Sequence, residues 1–366
     1  MTRLIEVLIS LAIVLALFLV IGLVLPSSRH LSEQVQTNRK LTIVYDTVDS
    51  LRRFKDWNPL VLHDPKMKIK LSGPESGVGA QLDYVSEVPT VGSGTWKIIA
   101  NDPGKSVTYA ISNNARGDNK RSIFTFRPTG HLGRNVEVSQ SYSVDYGFDL
   151  MGRYAGMYVA RHVGDDMKLG LDRLSNILAS VPNVDYRMQG SKLANLRTVD
   201  MPAENLLVVN AGSIERTNDK IQASMKANME WIKRTMDASG LVAAGPMRIV
   251  STEMGRENYT FDVAQPVRKA GGADAGAVPA AAAPEAPLTG LKLQGPVKYV
   301  QSKPRRAASG SYTGYMAELE NVRNALRAWA VTQGLEPTDR PYESYKSGID
   351  QAFTENGQFD VYWDLK

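Results

Sequence analysis

The first 26 residues constrain this chain more than any other stretch. Val7 to Leu25 runs 19 residues without a charge and ends at Pro26. At about 1.5 Å per residue the run reaches roughly 29 Å, close to the ~30 Å hydrocarbon core of a bilayer. A secretory signal has a shorter apolar region, about 7–15 residues, and a small-x-small cleavage site. Here the run ends Leu23-Val24-Leu25-Pro26-Ser27-Ser28, which suits cleavage poorly. A retained single-pass anchor over residues 4–25 is the expectation. Arg3 on one side and Arg29, Arg39 and Lys40 on the other leave the positive-inside rule undecided. The short tail before Arg3 suits an N-inside signal anchor. The expected location is therefore the cell inner membrane, with the bulk of the chain periplasmic.

Beyond the anchor, 366 residues suggest about two domains. An apolar share of 43% excludes wholesale disorder. The formal net charge of +5 is spread along the chain, and no basic helix-turn-helix is visible, so nucleic acid is not an expected partner. The absence of cysteine removes disulfides, thiol nucleophiles and Cys-ligated metals.

After a polar stem, Ser27 to Thr37, a first domain is expected over residues 31–182. A helical stretch covers Arg39 to Phe54. Six strand-like runs follow: Lys66–Leu71, Ala80–Val85, Gly94–Ile99, Ser106–Ile111, Ser122–Phe126 and Asn135–Val144, with Gly, Pro, Asn and Asp between them. Then Leu150, Tyr154, Met157, Met167, Leu171, Leu174 and Leu178 fall at helical spacings, which predicts one long helix. Its apolar stripe needs an antiparallel sheet to bury against.

The second domain, residues 196–366, carries a degenerate repeat at an offset of 98. Gly212-Ser213 matches Gly310-Ser311, Trp231 matches Trp329, and Phe261-Asp262-Val263 matches Phe359-Asp360-Val361. Each half reads strand, Gly-Ser turn, amphipathic helix, then two strands. Ser239-Gly240 and Gln333-Gly334 are the expected helix stops, where glycine takes the left-handed cap. Residues 268–290, rich in Ala, Gly and Pro, are expected to form a flexible loop.

The first domain resembles the START-like superfamily, also called SRPBCC or polyketide cyclase/dehydrase-like. The resemblance rests on Asp56-Trp57-Asn58-Pro59-Leu60, on Ser72-Gly73-Pro74-Glu75-Ser76-Gly77-Val78-Gly79-Ala80, on Gly92-Ser93-Gly94 and on Gly170-Leu171-x-x-Leu174. It implies a helix-grip fold, a curved sheet around the C-terminal helix with a cavity between them. The second domain resembles the GyrI-like small-molecule-binding domain, which is also the effector-binding domain of some regulators. That resemblance rests on Met201-Pro202-Ala203-Glu204-Asn205, Ala308-Ser309-Gly310-Ser311-Tyr312, Leu326-Arg327-Ala328-Trp329 with Gly334-Leu335, and the closing Phe359 to Lys366. It implies two pseudo-symmetric α+β halves with a ligand groove between them. Asp360 stands where that family usually has glutamate. The fold class expected overall is thus α+β in both domains behind a transmembrane helix.

No acid–base pair or metal-binding spacing is legible. The histidines, His30, His63, His131 and His162, are not within helical reach of one another, and no G-x-S-x-G elbow occurs. No metal and no cofactor are expected. The chemistry left is binding by aromatic rings, with a few hydroxyls and carboxylates. In the first domain the ligand-binding candidates are Trp57, Trp96, Tyr109, Tyr142, Tyr154 and Tyr158; Tyr154 and Tyr158, four apart, share a helix face. In the second they are Trp231, Tyr259, Asp262, Trp329, Tyr345, Asp360 and Tyr362, a set in which carboxylates among rings suit a cation. The expected function is a membrane-anchored, two-module protein that binds a small hydrophobic or amphiphilic ligand for sensing, carriage or sequestration, with membrane lipid as a further partner. The alternative is a cyclase- or hydrolase-like enzyme acting on a small hydrophobic substrate. The sequence names no protein partner.

Overall fold

The computed structural model describes residues 2–187, 193–270 and 286–366. The chain divides into two compact units, Met1–Asn183 and Val184–Lys366.

The first unit opens with α1 (Thr2–Val24), whose side chains are mostly exposed. Residues Arg3–Val24 have a mean hydropathy of 3.2 and are long and apolar enough to cross a membrane. The residues expected as a polar stem form a strand, β1 (Ser28–Thr37), paired along its whole length with β7. Only Leu31 and Val35 mark its inner face in sequence, so the polar residues between and around them hide the alternation. The helical stretch expected over 39–54 is α2 (Leu41–Asp49) followed by a 3-10 turn (Leu51–Arg53), with the short α3 (Phe54–Trp57) and α4 (Leu60–His63) after it. The remaining strands are β2 (Lys68–Ser72), β3 (Gln81–Val85), β4 (Ser93–Asp102), β5 (Ser106–Asn113), β6 (Asp118–Thr129) and β7 (Asn135–Asp145). All pair antiparallel, in the order β1-β7-β6-β5-β4-β3-β2.

The expected long helix is a helical run with a break. It begins as α5 (Leu150–Ala155), passes through a 3-10 turn at Gly156–Tyr158 and a π-turn at Ala160–Gly164, and continues as α6 (Asp165–Ala179). The two ends bury different things. Met167, Leu171, Leu174 and Leu178 of α6 are buried in the sheet-and-helix core. Met157 before the break is exposed. Arg39 closes the end of α6, donating to the carbonyls of Leu178 (2.9 Å) and Ala179 (2.6 Å); a cation there also answers the negative end of the helix dipole.

The second unit contains β8 (Leu193–Met201), β9 (Asn205–Glu215), α7 (Asn218–Ser239), β10 (Leu241–Ala243), β11 (Arg248–Met254), β12 (Asn258–Lys269), β13 (Lys298–Gln301), β14 (Arg305–Thr313), α8 (Leu319–Thr332), β15 (Pro337–Tyr345), α9 (Gly348–Ala352) and β16 (Gln358–Leu365). The sheet order is β13-β9-β12-β11-β15-β16-β14-β8, with β10 added beside β12. The order reads alike from either end: strand, strand before a helix, closing strand, central strand. The two halves exchange their outermost strands, β8 pairing with β14 and β13 with β9. Positions 98 apart meet at one point: the Glu204 N–H donates to Ser302 Oγ (2.9 Å), and the Ser302 N–H donates to the Glu204 carbonyl (2.9 Å). Gly240 and Gly334 end the helices at φ +63° and +75°. Arg268 and Lys269, placed by sequence in the flexible loop, end β12 opposite Val242 and Leu241; residues 271–285 of that expected loop lie outside the described residues.

Candidate functional site

The inner face of the first sheet is built by period-2 alternation. Trp96 and Ile98 of β4, Tyr109 of β5, Ser122 and Phe124 of β6 and Gln140 and Tyr142 of β7 all point toward the helices. Register places Tyr109 opposite Ser122 and Ser122 opposite Tyr142. Under them lies a network of edge-on rings. Phe54 touches Trp57 and Trp96, Trp57 touches Phe124, and Tyr109 touches both Trp96 and Phe124, at centroid distances of 5.1–5.9 Å. Such contacts add about 0.5–1.5 kcal/mol each beyond burial.

Trp57 and Tyr109, two of the expected ligand contacts, are floor residues of this network, 1% and 0% exposed. The Tyr109 hydroxyl donates to the Val48 carbonyl, and burial, with Asp49 adding to it, pushes its pKa well up. The Trp57 indole N–H is buried with no acceptor among the described residues. An unpaired donor costs about 1–3 kcal/mol. Trp96 and Tyr142 stand on the same face but remain half-buried, so solvent reaches the sheet face there. Beside them Gln140 donates to Ser122 Oγ (3.0 Å), and Lys120 donates to Asn113 Oδ1 (2.8 Å). Burial lowers the Lys120 pKa, partly offset by Asp118. The Tyr142 hydroxyl is raised by burial and then by Tyr146.

Tyr154 and Tyr158 lie elsewhere. Tyr154 stacks on Phe18 of α1 and donates to its carbonyl (2.7 Å), and Tyr158 is exposed. Both belong to the part of the helical run that precedes the break, which does not face the grip.

In the second unit the expected set divides between the two faces of the sheet. Tyr259 and Tyr345 are buried on the helix side. Asp262, Asp360 and Tyr362 fall at the alternate positions of β12 and β16, on the other side. Asp262 accepts from Asn210 (2.6 Å), Asp360 accepts from Ser311 (2.9 Å) and pairs with Lys346, and Tyr362 stacks on Tyr342. Trp231 stands on α7, 37% exposed, with Arg234 over its ring, and Trp329 is half-buried on α8.

The charged centre on the helix side is a pair that the sequence reading missed. Arg323 of α8 and Glu343 of β15 are bonded twice; both are almost fully buried. Arg323 also donates to the Tyr259 hydroxyl (3.2 Å), which bonds Ser251. Burial works against the Arg323 cation, but the Glu343 charge outweighs it and holds its pKa up. The signal lay in the patterns: Arg323 interrupts the apolar stripe Leu319, Val322, Leu326, and Glu343 shares a strand face with Tyr345. A cavity of about 140 Å³ lies above, lined by Ile221, Tyr259, Met316 and Arg323, with the Arg216–Glu320 ion pair among its walls. That is below the roughly 300–1,000 Å³ of small-molecule pockets. On the opposite side Glu204 bonds Arg248 (2.7 and 2.6 Å), and Arg305 bonds Asp364 (3.0 Å) and Tyr342 (3.1 Å). Among the described residues no three His, Cys, Asp or Glu groups are placed to hold a metal ion.

Comparison with known proteins adds the following. No curated protein matches the chain. Among solved structures it is similar to truncated norcoclaurine synthase from Thalictrum flavum (13% identity, 42% of this chain and 94% of that one, TM-score 0.33). It is also similar to protein Ms6760 from Mycobacterium smegmatis (16%, 41% and 91%, TM-score 0.30) and to the EcmrR C-terminal domain (15%, 47% and 97%, TM-score 0.36). The model of a family described as polyketide cyclase / dehydrase and lipid transport matches residues 28–179, the stretch from β1 to the end of α6. Residues 28–179 are a polyketide cyclase/dehydrase (SRPBCC-like) domain.

Proposed function

We propose that this protein is a membrane-anchored binder of a small, mostly apolar ligand, which it holds on the concave face of the first domain. One observation carries the reading: under a sheet face of aromatic rings, the Trp57 indole N–H is buried with no acceptor among the described residues, while Trp96 and Tyr142 on that face stay half-buried. A ligand with an apolar body and one oxygen would cover the half-exposed rings, and a small displacement of the buried Trp57 ring on binding would bring that donor to the oxygen. The family's description, which includes lipid transport, points the same way. We read residues 31–182 and 196–366 as the two modules and α1 as a retained anchor. We read the second module as GyrI-like, its two halves closing on the small cavity over Tyr259. In this chain Arg323 already neutralises the one carboxylate buried there, which speaks for a neutral ligand group rather than a cation.

The test uses full-length protein in mild detergent and a fluorescent fatty acid excited by energy transfer from tryptophan. Saturable transfer is expected. Trp57→Phe keeps a ring but removes the donor, and should weaken binding roughly tenfold, the equivalent of about 1.4 kcal/mol. Saturable binding that Trp57→Phe and Tyr142→Ala both leave unchanged would place the ligand elsewhere.

A further inference from the structure

The end of α1 is built into the first domain. Arg153, 8% exposed, donates from Nη1 to the carbonyls of Gly22 (3.3 Å), Leu23 (2.9 Å) and Leu25 (3.2 Å), and from Nε and Nη2 to the Gly147 carbonyl (2.9 and 2.6 Å). The Gly22 and Leu23 carbonyls belong to the last turn of α1 and Leu25 follows it, where carbonyls lack helical partners and the dipole is negative. Tyr154 stacks on Phe18 at 4.6 Å. Gly22 lets the two helices approach: a Cβ there would stand 3.3 Å from both Leu150 Cβ and the Tyr154 ring. The N–H of Tyr146 donates to the Ser27 carbonyl (2.7 Å). A leader destined for removal has no need of a buried arginine holding its last carbonyls.

This clamp fixes α5 beside residues 18–25. If α1 spans the bilayer, its 23 residues rise about 34 Å, so its last residues reach the headgroup layer while Phe18 lies roughly 9 Å deeper. The face of the helical run next to Tyr154 is exposed and apolar. Met151 (54%) and Tyr158 (60%) lie on it with Ala155, and Phe148 in the preceding turn is 88% exposed. Arg161 and His162 continue the same stripe. Apolar side chains, a tyrosine and an arginine in that order suit the boundary between acyl chains and headgroups.

We infer that residues 148–161 form a second membrane contact, lying in the bilayer interface next to the anchor and fixing the domain's tilt. The inference rests on the reading of α1 as a retained span. Because the chain lacks cysteine, single thiols report positions cleanly. Phe148→Cys, Tyr158→Cys, Leu15→Cys and Leu132→Cys would each be introduced into the full-length protein. Each would be labelled with an environment-sensitive dye and reconstituted in phosphatidylcholine–phosphatidylglycerol vesicles. Leu132 is 81% exposed in the turn before β7. β7's 11 residues put roughly 35 Å between that turn and α5. Dyes at 148, 158 and 15 should be quenched several-fold more by nitroxide lipids than by aqueous iodide, with the reverse at 132. Arg153→Ala should expose 148 and 158 to iodide and leave 15 in lipid. If 15 is lipid-quenched while 148 and 158 behave like 132, the interfacial contact is refuted and the anchor stands. If 15 is itself aqueous, the anchor reading and the inference fall together.

Discussion

At the scale of single residues, two carboxylates, each held by arginine, and one indole set the energetics. Arg323 and Glu343 are a buried ion pair, so removing one partner strands a charge. Glu343→Leu should cost about 3–5 kcal/mol in a denaturant titration, and Arg323→Met with Glu343→Leu should recover most of it. Glu204 behaves differently because it is partly open. Burial raises its pKa, but the hydrogen bonds and charges of Arg248 and Arg305 prevail and lower it. Its contribution to stability is therefore complete above the unfolded value of about 4.3 and is lost as pH falls through the lower folded value. Unfolding midpoints at pH 6, 4 and 3 should fall more steeply for wild type than for Glu204→Gln; parallel profiles would contradict the assignment. Trp57 stood out in the sequence because it sits in Asp56-Trp57-Asn58-Pro59. Its unpaired N–H was not, since hydrogen bonding depends on partners from distant strands.

At the scale of elements, period decided what could be read. Strands β3 to β7 alternate apolar and polar residues, and their positions in sequence were plain. β1 was not, because its inner face has only two aliphatic residues and takes its stability from pairing with β7. Val35 faces Val138 across that pair. Val35→Pro removes a ladder donor and should disrupt β1, seen as fast amide exchange along residues 28–37. The long helix was legible as helix, but spacing alone could not show that it changes duty at the π-turn. Leu174 lies in α6 at 0% exposure, whereas Met151 in α5 is 54% exposed. Leu174→Ala should cost about 2–5 kcal/mol and Met151→Ala less than about 0.5 kcal/mol in detergent-solubilised protein. The second unit's repeat fixed the order of strand and helix in each half. The exchange of β8 and β13 between halves is a long-range pairing with no local signature.

At the scale of the whole molecule, the proposed ligand site and the apolar helix α1 belong to one domain. Arg153 and Tyr154 make α1 a structural part of the first domain, and the inner sheet face carries aromatic rings and a Gln140–Ser122 hydrogen bond over an indole donor that has no acceptor among the described residues. The apolar first helix and the fold of residues 28–179 were open in the sequence. It could not say which aromatic residues face the grip, since that depends on where the helical run breaks. The most direct test is native mass spectrometry of the full-length protein released from its own membranes in mild detergent. The account predicts a recurrent bound amphiphile in wild type, depleted in Trp57→Phe and in Tyr142→Ala, which removes a half-exposed ring from the proposed binding face. Wild-type protein that is consistently empty, or an adduct equally abundant in all three proteins, would contradict it.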